Sequence, residues 1–304
     1  MTGSGVVIVL VNWNGHKDTV ECLTSLAKCK KKDVPFTPIV VDNASQPQSV
    51  RYIKKHHPWV TVLVQKENLG FAAGVNVGIR YALRSHAQYV WLLNNDTILD
   101  SDALTLSSAF SNAKVGGATS KIYFFKGREY HYQRYSENER GNVIWYAGGV
   151  IDWQTMIASH RGVDEVDRGQ YDRVEPTEFI TGCSFMIRTD IVDKIGFFDE
   201  KYFLYLEDLD FSLRMKRAGY TLLYVPSSRL WHKNAGSTQG AGSKLHEYYM
   251  TRNRLYLGMK YAPVRTKMAL GREALKFLIT GPESKKRAVA DWMLGRYQKR
   301  YERE

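Results

Sequence analysis

Tyr89-Val-Trp-Leu-Leu-Asn-Asn-Asp96-Thr97 is the stretch on which the fold turns, because five strand-forming, mostly apolar residues run directly into two amides and a carboxylate. A continuous apolar run of this length fits the centre of a parallel sheet covered on both faces, and such sheets hold ligands beyond the carboxyl ends of their strands. Asp96 therefore stands where a ligand would bind, although a lone carboxylate at a strand end is as readily a turn residue or a helix cap. The flanking sequence decides. Residues 6–11 are apolar and end in Asn12-Trp13-Asn14-Gly15, residues 16–28 have helical periodicity, and residues 38–41 form a second strand ending in Asp42-Asn43. Pro47 suits the first turn of the next helix, residues 59–64 read as a third strand, and residues 68–85 turn into a helix before Tyr89. Strands alternating with helices at this spacing mean βαβ units, hence an α/β fold with a mostly parallel central sheet flanked by helices.

Gly70, Gly74 and Gly78 are four apart and follow the third strand. A dinucleotide fingerprint would be Gly-x-Gly-x-x-Gly directly after the first strand, so these glycines instead mark one helix face that packs closely on a strand or a ligand. Downstream, residues 100–112 read as a helix, 117–125 as a strand, and 126–176 as an aperiodic insertion rich in Tyr, Arg, Gly and Glu. A strand over 178–187, interrupted by Gly182, and a short helix over 189–195 lead to Phe197-Phe-Asp-Glu-Lys-Tyr-Phe-Leu-Tyr-Leu-Glu207-Asp208-Leu-Asp210-Phe-Ser-Leu-Arg214. Three carboxylates within four residues at a helix start complement its dipole, but they also repel one another, which raises at least one pKa and favours a general base. Arg214 is a ready ion-pair partner. A strand over 220–225 then precedes a polar loop, Arg229-Leu-Trp-His232-Lys-Asn-Ala-Gly-Ser237.

The 304 residues are 44% hydrophobic and 24% charged, enough for one large α/β domain with an appendage. No apolar run approaches the roughly 20 residues of a membrane span, and the N-terminus carries no leader pattern, so the expected location is cytoplasmic. Cys22, Cys29 and Cys183 show no metal-ligand spacing and read as small core residues. Net charge is +12, of which residues 244–304 supply a surplus of nine, fifteen Lys and Arg against six Asp and Glu. Three helix-like stretches fill that basic region, near 243–261, 264–279 and 283–301. They fit a solvated charged face, a peripheral helix on an anionic membrane surface, or a homo-oligomer contact; nucleic acid is not the expected partner.

Taken together, Val-Asn12-Trp-Asn-Gly, Val-Val-Asp42-Asn-Ala-Ser, Glu-Asn68-Leu-Gly-Phe-Ala-Ala-Gly-Val-Asn76-Val-Gly, Leu-Leu-Asn-Asn95-Asp96-Thr, the Glu207-Asp208 stretch and Trp-His232-x-x-x-Gly-Ser resemble glycosyltransferase family 2, with the GT-A nucleotide-sugar-binding fold, and within it a bacterial rhamnosyltransferase-like branch. The resemblance spans residues 6–240, implying a catalytic domain over 1–240 and a C-terminal helical region over 241–304. It also implies roles. Trp13 would stack on a pyrimidine base and Asp42 accept its N3–H, with Asn12, Asn14, Asn43, Asn68, Gly70 and Asn76 around the nucleotide and Asn95 near the ribose. Asp96 and His232 would hold Mn²⁺ or Mg²⁺ on the diphosphate; with Asn at 94 and 95, one carboxylate does the work that related chains share among more acid. Asp208 would be the catalytic base, with Glu207 and Asp210 tuning it or placing the acceptor. The implied reaction is inverting transfer from a dTDP- or UDP-sugar, dTDP-rhamnose first, to a glycan or lipid-linked acceptor of the cell envelope. A sugar nucleotidyltransferase would need an early glycine-rich loop with Arg and Lys, and a binding-only module would not need Asp96, Asp208 and His232 together.

Overall fold

A computed structural model describes residues 5–29, 35–234 and 242–297. In chain order the elements are β1 (Val6–Asn12), α1 (His16–Ala27), β2 (Phe36–Asp42), α2 (Pro47–His56), β3 (Thr61–Val64), α3 (Gly70–Arg84), β4 (Tyr89–Leu93), β5 (Thr97–Leu99), β6 (Val115–Phe124), β7 (Ile144–Tyr146), β8 (Gly149–Asp152), β9 (Ile157–His160), β10 (Glu175–Pro176), β11 (Ser184–Arg188), α4 (Asp190–Ile195), α5 (Glu207–Arg217), β12 (Thr221–His232), α6 (Lys244–Tyr261), α7 (Val264–Thr280) and α8 (Glu283–Met293). The main sheet runs β10-β12-β6-β11-β4-β1-β2-β3, with β5 on β12 and β7 on β6; β8 and β9 form a separate hairpin. β3, β2, β1, β4, β6 and β12 share one direction; β11 lies reversed between β4 and β6, and β10, β5 and β7 also run antiparallel to their partners.

Alternation along β1 explains why its sequence is apolar throughout. Val6, Ile8 and Leu10 face Cys22, Leu23 and Leu26 of α1, while Val7 and Val9 face Val75 and Ile79 of α3. Each such side chain, fully buried, contributes about 1.5–3 kcal/mol. A Cβ on Gly78 would stand 2.2 Å from Val9 Cγ1, and one on Gly74 3.1 Å from Val11. Their spacing thus serves close helix-to-sheet packing. The three cysteines are buried and free.

The structure departs from the sequence reading where hydrogen bonds, not hydropathy, set the conformation. The helix expected over 100–112 is a 3-10 run, Ala103–Ser111. The strand expected from 178 begins at Ser184, after Gly182. Residues 229–232, read as loop, continue β12 past a register shift between Val225 and Arg229, a bulge that accommodates Pro226. Ser228 bridges that bulge, donating to Ala103 O (2.7 Å) and meeting Ser120 Oγ (2.7 Å), which meets Ser184 Oγ (2.9 Å), which accepts from Trp91 Nε1 (3.0 Å). The 126–176 insertion contributes β7 to the main sheet and folds β8 and β9 onto each other. The last helix ends at Met293, and Gly236-Ser237 lies outside the described residues.

The basic C-terminal segment does not stand apart. Leu255 and Leu257 of α6 and Leu270 and Ala274 of α7 belong to the same core as β1 and β4. No helix of the described residues is long and apolar enough to cross a membrane.

Candidate active site

Register places the polar strand ends side by side. Asn12 is opposite Asp42 across β1 and β2, and His232 opposite Thr97, next to Asp96, across β12 and β5. Asn12 is fully buried and fully engaged: its Nδ2 donates to Asp42 Oδ1 (2.7 Å), Ser49 Oγ (3.0 Å) and Ser45 Oγ (3.1 Å), and its Oδ1 accepts from Thr19 Oγ1 (3.0 Å). Asp42 is also fully buried, its second oxygen accepting the Ser45 N–H at 3.0 Å. Asn43 donates to Asn68 Oδ1 and Gly70 O, both 2.9 Å, and accepts the Leu69 N–H at 3.0 Å. These residues tie strand ends to the next turn. Asp42, expected against a base, and Asn12 and Asn43, expected around the nucleotide, form the floor of the site in this structure.

Asn76 lies farther off, bridging α3 to Phe198 O and Glu200 Oε1 (2.9 Å each) and accepting the Phe198 N–H. Gly70 has φ +82°, and a Cβ there would meet Phe203 O at 2.5 Å, so close approach of the 203 loop explains it. The residues left facing outward are Trp13, Asn14, Asn68, Asn94, Asn95 and Asp96, all partly or fully exposed. Asn14 is held at φ +59° while its Oδ1 accepts the Gln46 N–H (2.9 Å), and Asn95 Nδ2 donates to Thr19 Oγ1 (2.9 Å).

Asp96 Oδ1 stands 3.1 Å from His232 Nε2. Adjacent ligands about 2.0–2.1 Å from an octahedral ion stand roughly 3 Å apart, so this pair fits two neighbouring positions around Mg²⁺ or Mn²⁺. Among the described residues no group of three or more His, Cys, Asp or Glu is arranged for a metal. Two protein donors suit a cation that takes its remaining ligands from a diphosphate and water. The His232 ring is oriented by an edge-on contact with Trp145, centroids 4.6 Å apart, and its Nδ1 is buried without a hydrogen-bond partner.

Asp208 is at the start of α5 and partly exposed. Its Oδ2 accepts the Gly182 N–H at 2.8 Å and its Oδ1 the Leu209 N–H at 2.7 Å. Burial lifts its pKa above the ordinary aspartate range against the pull of those two N–H groups, which is the direction a base working near neutrality needs. Burial, then the Asp208 charge, pushes the Glu207 carboxyl well above its ordinary range. Asp210 behaves oppositely. Burial alone would raise it, but the Lys260 ammonium at 2.7 Å, the Arg214 guanidinium at 2.8 Å and the Tyr261 hydroxyl at 2.7 Å hold it below the usual range. It is a buried anchor between α5 and α6, not a group that reaches an acceptor.

The Asp96–His232 pair and the Asp208 carboxylate meet across one dipeptide. Gly182 donates its N–H to Asp208, and Cys183 accepts the Asn94 N–H through its carbonyl at 3.0 Å. The Cys183 thiol, raised first by burial, is raised again by the charges of both Asp96 and Asp208. Gly182 was visible in the sequence only as a break in a strand. Two other residues, in a stretch over 248–254 that also resembles the family, carried no role in the sequence reading. Asn253 Nδ2 donates to the carbonyls of Leu204 (2.7 Å), Tyr205 (2.8 Å) and Tyr202 (2.9 Å), and the buried Arg252 Nη2 to those of Tyr202 (2.9 Å) and Lys201 (3.1 Å). They fasten a loop in which Phe203, Tyr205 and Leu206 all have left-handed φ, a conformation that non-glycine residues keep only when surrounding contacts hold them there.

The family model described as glycosyltransferase-like family 2 matches residues 4–258. The chain is 38% identical over 246 residues to N-acetylglucosaminyl-diphospho-decaprenol L-rhamnosyltransferase of Mycobacterium tuberculosis, 76% of each chain being covered. It is 22% identical over 261 residues to rhamnosyltransferase WbbL of Escherichia coli K12, covering 84% of this chain and 94% of that one. Among solved structures, GalNAc-T7 with UDP, GalNAc and Mn²⁺ superposes with a TM-score of 0.63 at 16% identity, over 97% of this chain and 58% of the other, a likeness of fold alone. The sheet, the paired strand ends and these matches agree: the chain has the GT-A fold and belongs to glycosyltransferase-like family 2.

Proposed function

We propose that this glycosyltransferase moves rhamnose from dTDP-rhamnose to a hydroxyl of a lipid-linked glycan acceptor, in one inverting, metal-dependent displacement. The observation that carries the mechanism is the Gly182-Cys183 dipeptide, which sets Asp208 on one side and the Asn94–Asp96 turn on the other. The acceptor oxygen attacks the anomeric carbon, its proton passes to Asp208, and the bond to the leaving diphosphate breaks on the opposite face of the sugar. Asp96 and His232 would hold the divalent cation, which neutralises charge on the diphosphate when bound. Burial and the Asp208 charge both disfavour a second negative charge on Glu207 beside the base. The rhamnosyl group follows the two relatives named as rhamnosyltransferases, and the lipid-linked acceptor follows the one whose name carries N-acetylglucosaminyl-diphospho-decaprenol.

Incubating the enzyme with Mn²⁺ and a panel of sugar nucleotides, then a polyprenyl-diphosphate-linked amino sugar, tests this. Turnover of dTDP-rhamnose with inversion at the anomeric carbon, read by NMR, is expected. Turnover of a UDP-hexose alone would replace the donor, and retention of configuration would reject the single displacement.

A further inference from the structure

Helix α7 carries an apolar stripe on its outer face. Its inner face, Thr266, Leu270 and Ala274, packs on the body, with the Thr266 hydroxyl donating to Trp153 O at 3.0 Å. Facing outward are Val264, Met268, Leu275 and Ile279, respectively 74%, 63%, 58% and 76% exposed. At 3.6 residues per turn these four lie within roughly 60° of the helix circumference. Lys267 falls on one edge of the stripe and Arg265, Arg272 and Lys276 on the other. The only acidic residue of α7, Glu273, is drawn into an ion pair with Arg254. Scattered exposed apolar side chains are ordinary; four aligned on one helix, bordered by cations alone, have the composition of a helix that lies in a bilayer interface.

We propose that the outer face of α7 seats this enzyme on an anionic bilayer, Val264, Met268, Leu275 and Ile279 entering the headgroup boundary while Arg265, Lys267, Arg272 and Lys276 meet lipid phosphates. Charge favours this occupant over a second copy of the chain, because a symmetric contact would press the same basic edges together. The inference deepens the acceptor assignment above, since a lipid-linked acceptor would be met at that surface, but its test uses neither donor nor acceptor.

The full-length protein is sedimented with vesicles of phosphatidylcholine alone or with about one third phosphatidylglycerol, at low and high salt. Co-sedimentation with the anionic vesicles at low salt is expected, weakened by screening at high salt. The double variant Leu275→Asp, Ile279→Asp should keep its melting temperature, since both sites are exposed, and lose at least about tenfold in bound fraction. Wild-type protein that stays in the supernatant, or a double variant that binds as well as wild type, overturns the proposal. So does a lipid-free dimer, seen by sedimentation velocity, that the double variant dissociates. Donor hydrolysis measured in parallel reports on the glycosyltransfer reading separately.

Discussion

With Asp96 Oδ1 3.1 Å from His232 Nε2, loss of either side chain would remove half of the protein's contribution to the proposed cation site. Asp96→Ala and His232→Ala should each weaken Mn²⁺-dependent binding of the nucleoside diphosphate by about tenfold or more, as loss of a metal partner commonly does, and leave the bare nucleoside unaffected. Titration calorimetry with both ligands checks this; equal losses for nucleoside and nucleoside diphosphate would place the pair outside the metal site. Asp208 carries a pH prediction. Its raised pKa means that the ionised base is lost already above the ordinary aspartate value of 3.8 as pH falls, so the acid limb of kcat/KM should lie above that value. Asn12, Asp42, Asn43, Asn95 and Asp96 were legible as polar strand ends, but their division was not. Asn12, Asp42 and Asn43 satisfy one another across β1, β2 and the following turns, whereas Trp13, Asn95 and Asp96 face outward, and only the register of strands distant in sequence decides which is which.

At the scale of elements, the loop before α5 depends on α6. Phe203, Tyr205 and Leu206 keep left-handed backbone because Arg252 and Asn253 take up the carbonyls around them. Removing a buried donor that serves several carbonyls costs about 1–3 kcal/mol for each acceptor left unpaired. Asn253→Ala should therefore lower stability to urea by a few kcal/mol and lower kcat more than donor affinity, since the loop leads directly into Asp208 and reaches the strand-end floor only through the Gly70 turn, where Phe203 O accepts the Phe71 N–H. A parallel fall in donor affinity would show that the loop supports the nucleotide side as well. The sequence displayed Tyr248-Tyr-Met-Thr-Arg252-Asn253-Arg254 without its purpose, because the hydrogen bonds run to backbone atoms some 50 residues earlier and no side-chain pattern announces them. Strands β1, β2 and β4 were legible for the opposite reason, since burial on both faces leaves a continuous apolar run. The 3-10 run and the extension of β12 were not, because serine hydrogen bonds around Pro226 set them.

At the scale of the molecule, the basic C-terminal helices and the α/β body form one core. Tyr248 OH donates to Asp291 Oδ2 at 2.7 Å, Ser284 bonds Glu247, and Arg252 reaches Tyr297 O at 3.3 Å, so α8 braces α6. Truncation before Glu283 should lower the melting temperature and activity together; unchanged stability would make α8 dispensable to the fold. Asp210 joins α5 to α6 in the same way, and Asp210→Asn, which leaves Lys260 and Arg214 without their buried carboxylate, should cost about 3 kcal/mol. Because the folded pKa of Asp210 is depressed, its stabilisation is full above the ordinary value of 3.8 and is lost as pH falls through the lower folded value. A melting-temperature profile of wild type and variant that converges in acid checks that sign. The proposed cation pair, Asp96 and His232, on one side of Gly182-Cys183 and the proposed base, Asp208, on the other form an arrangement that elements from β4 to α6 assemble together. The most direct test is Asp208→Asn, measured for dTDP-rhamnose affinity with Mn²⁺ and for single-turnover transfer on the same preparation. The account predicts affinity within about twofold of wild type and a transfer rate lower by roughly two or more orders of magnitude; a donor affinity that falls in step with the rate would contradict it.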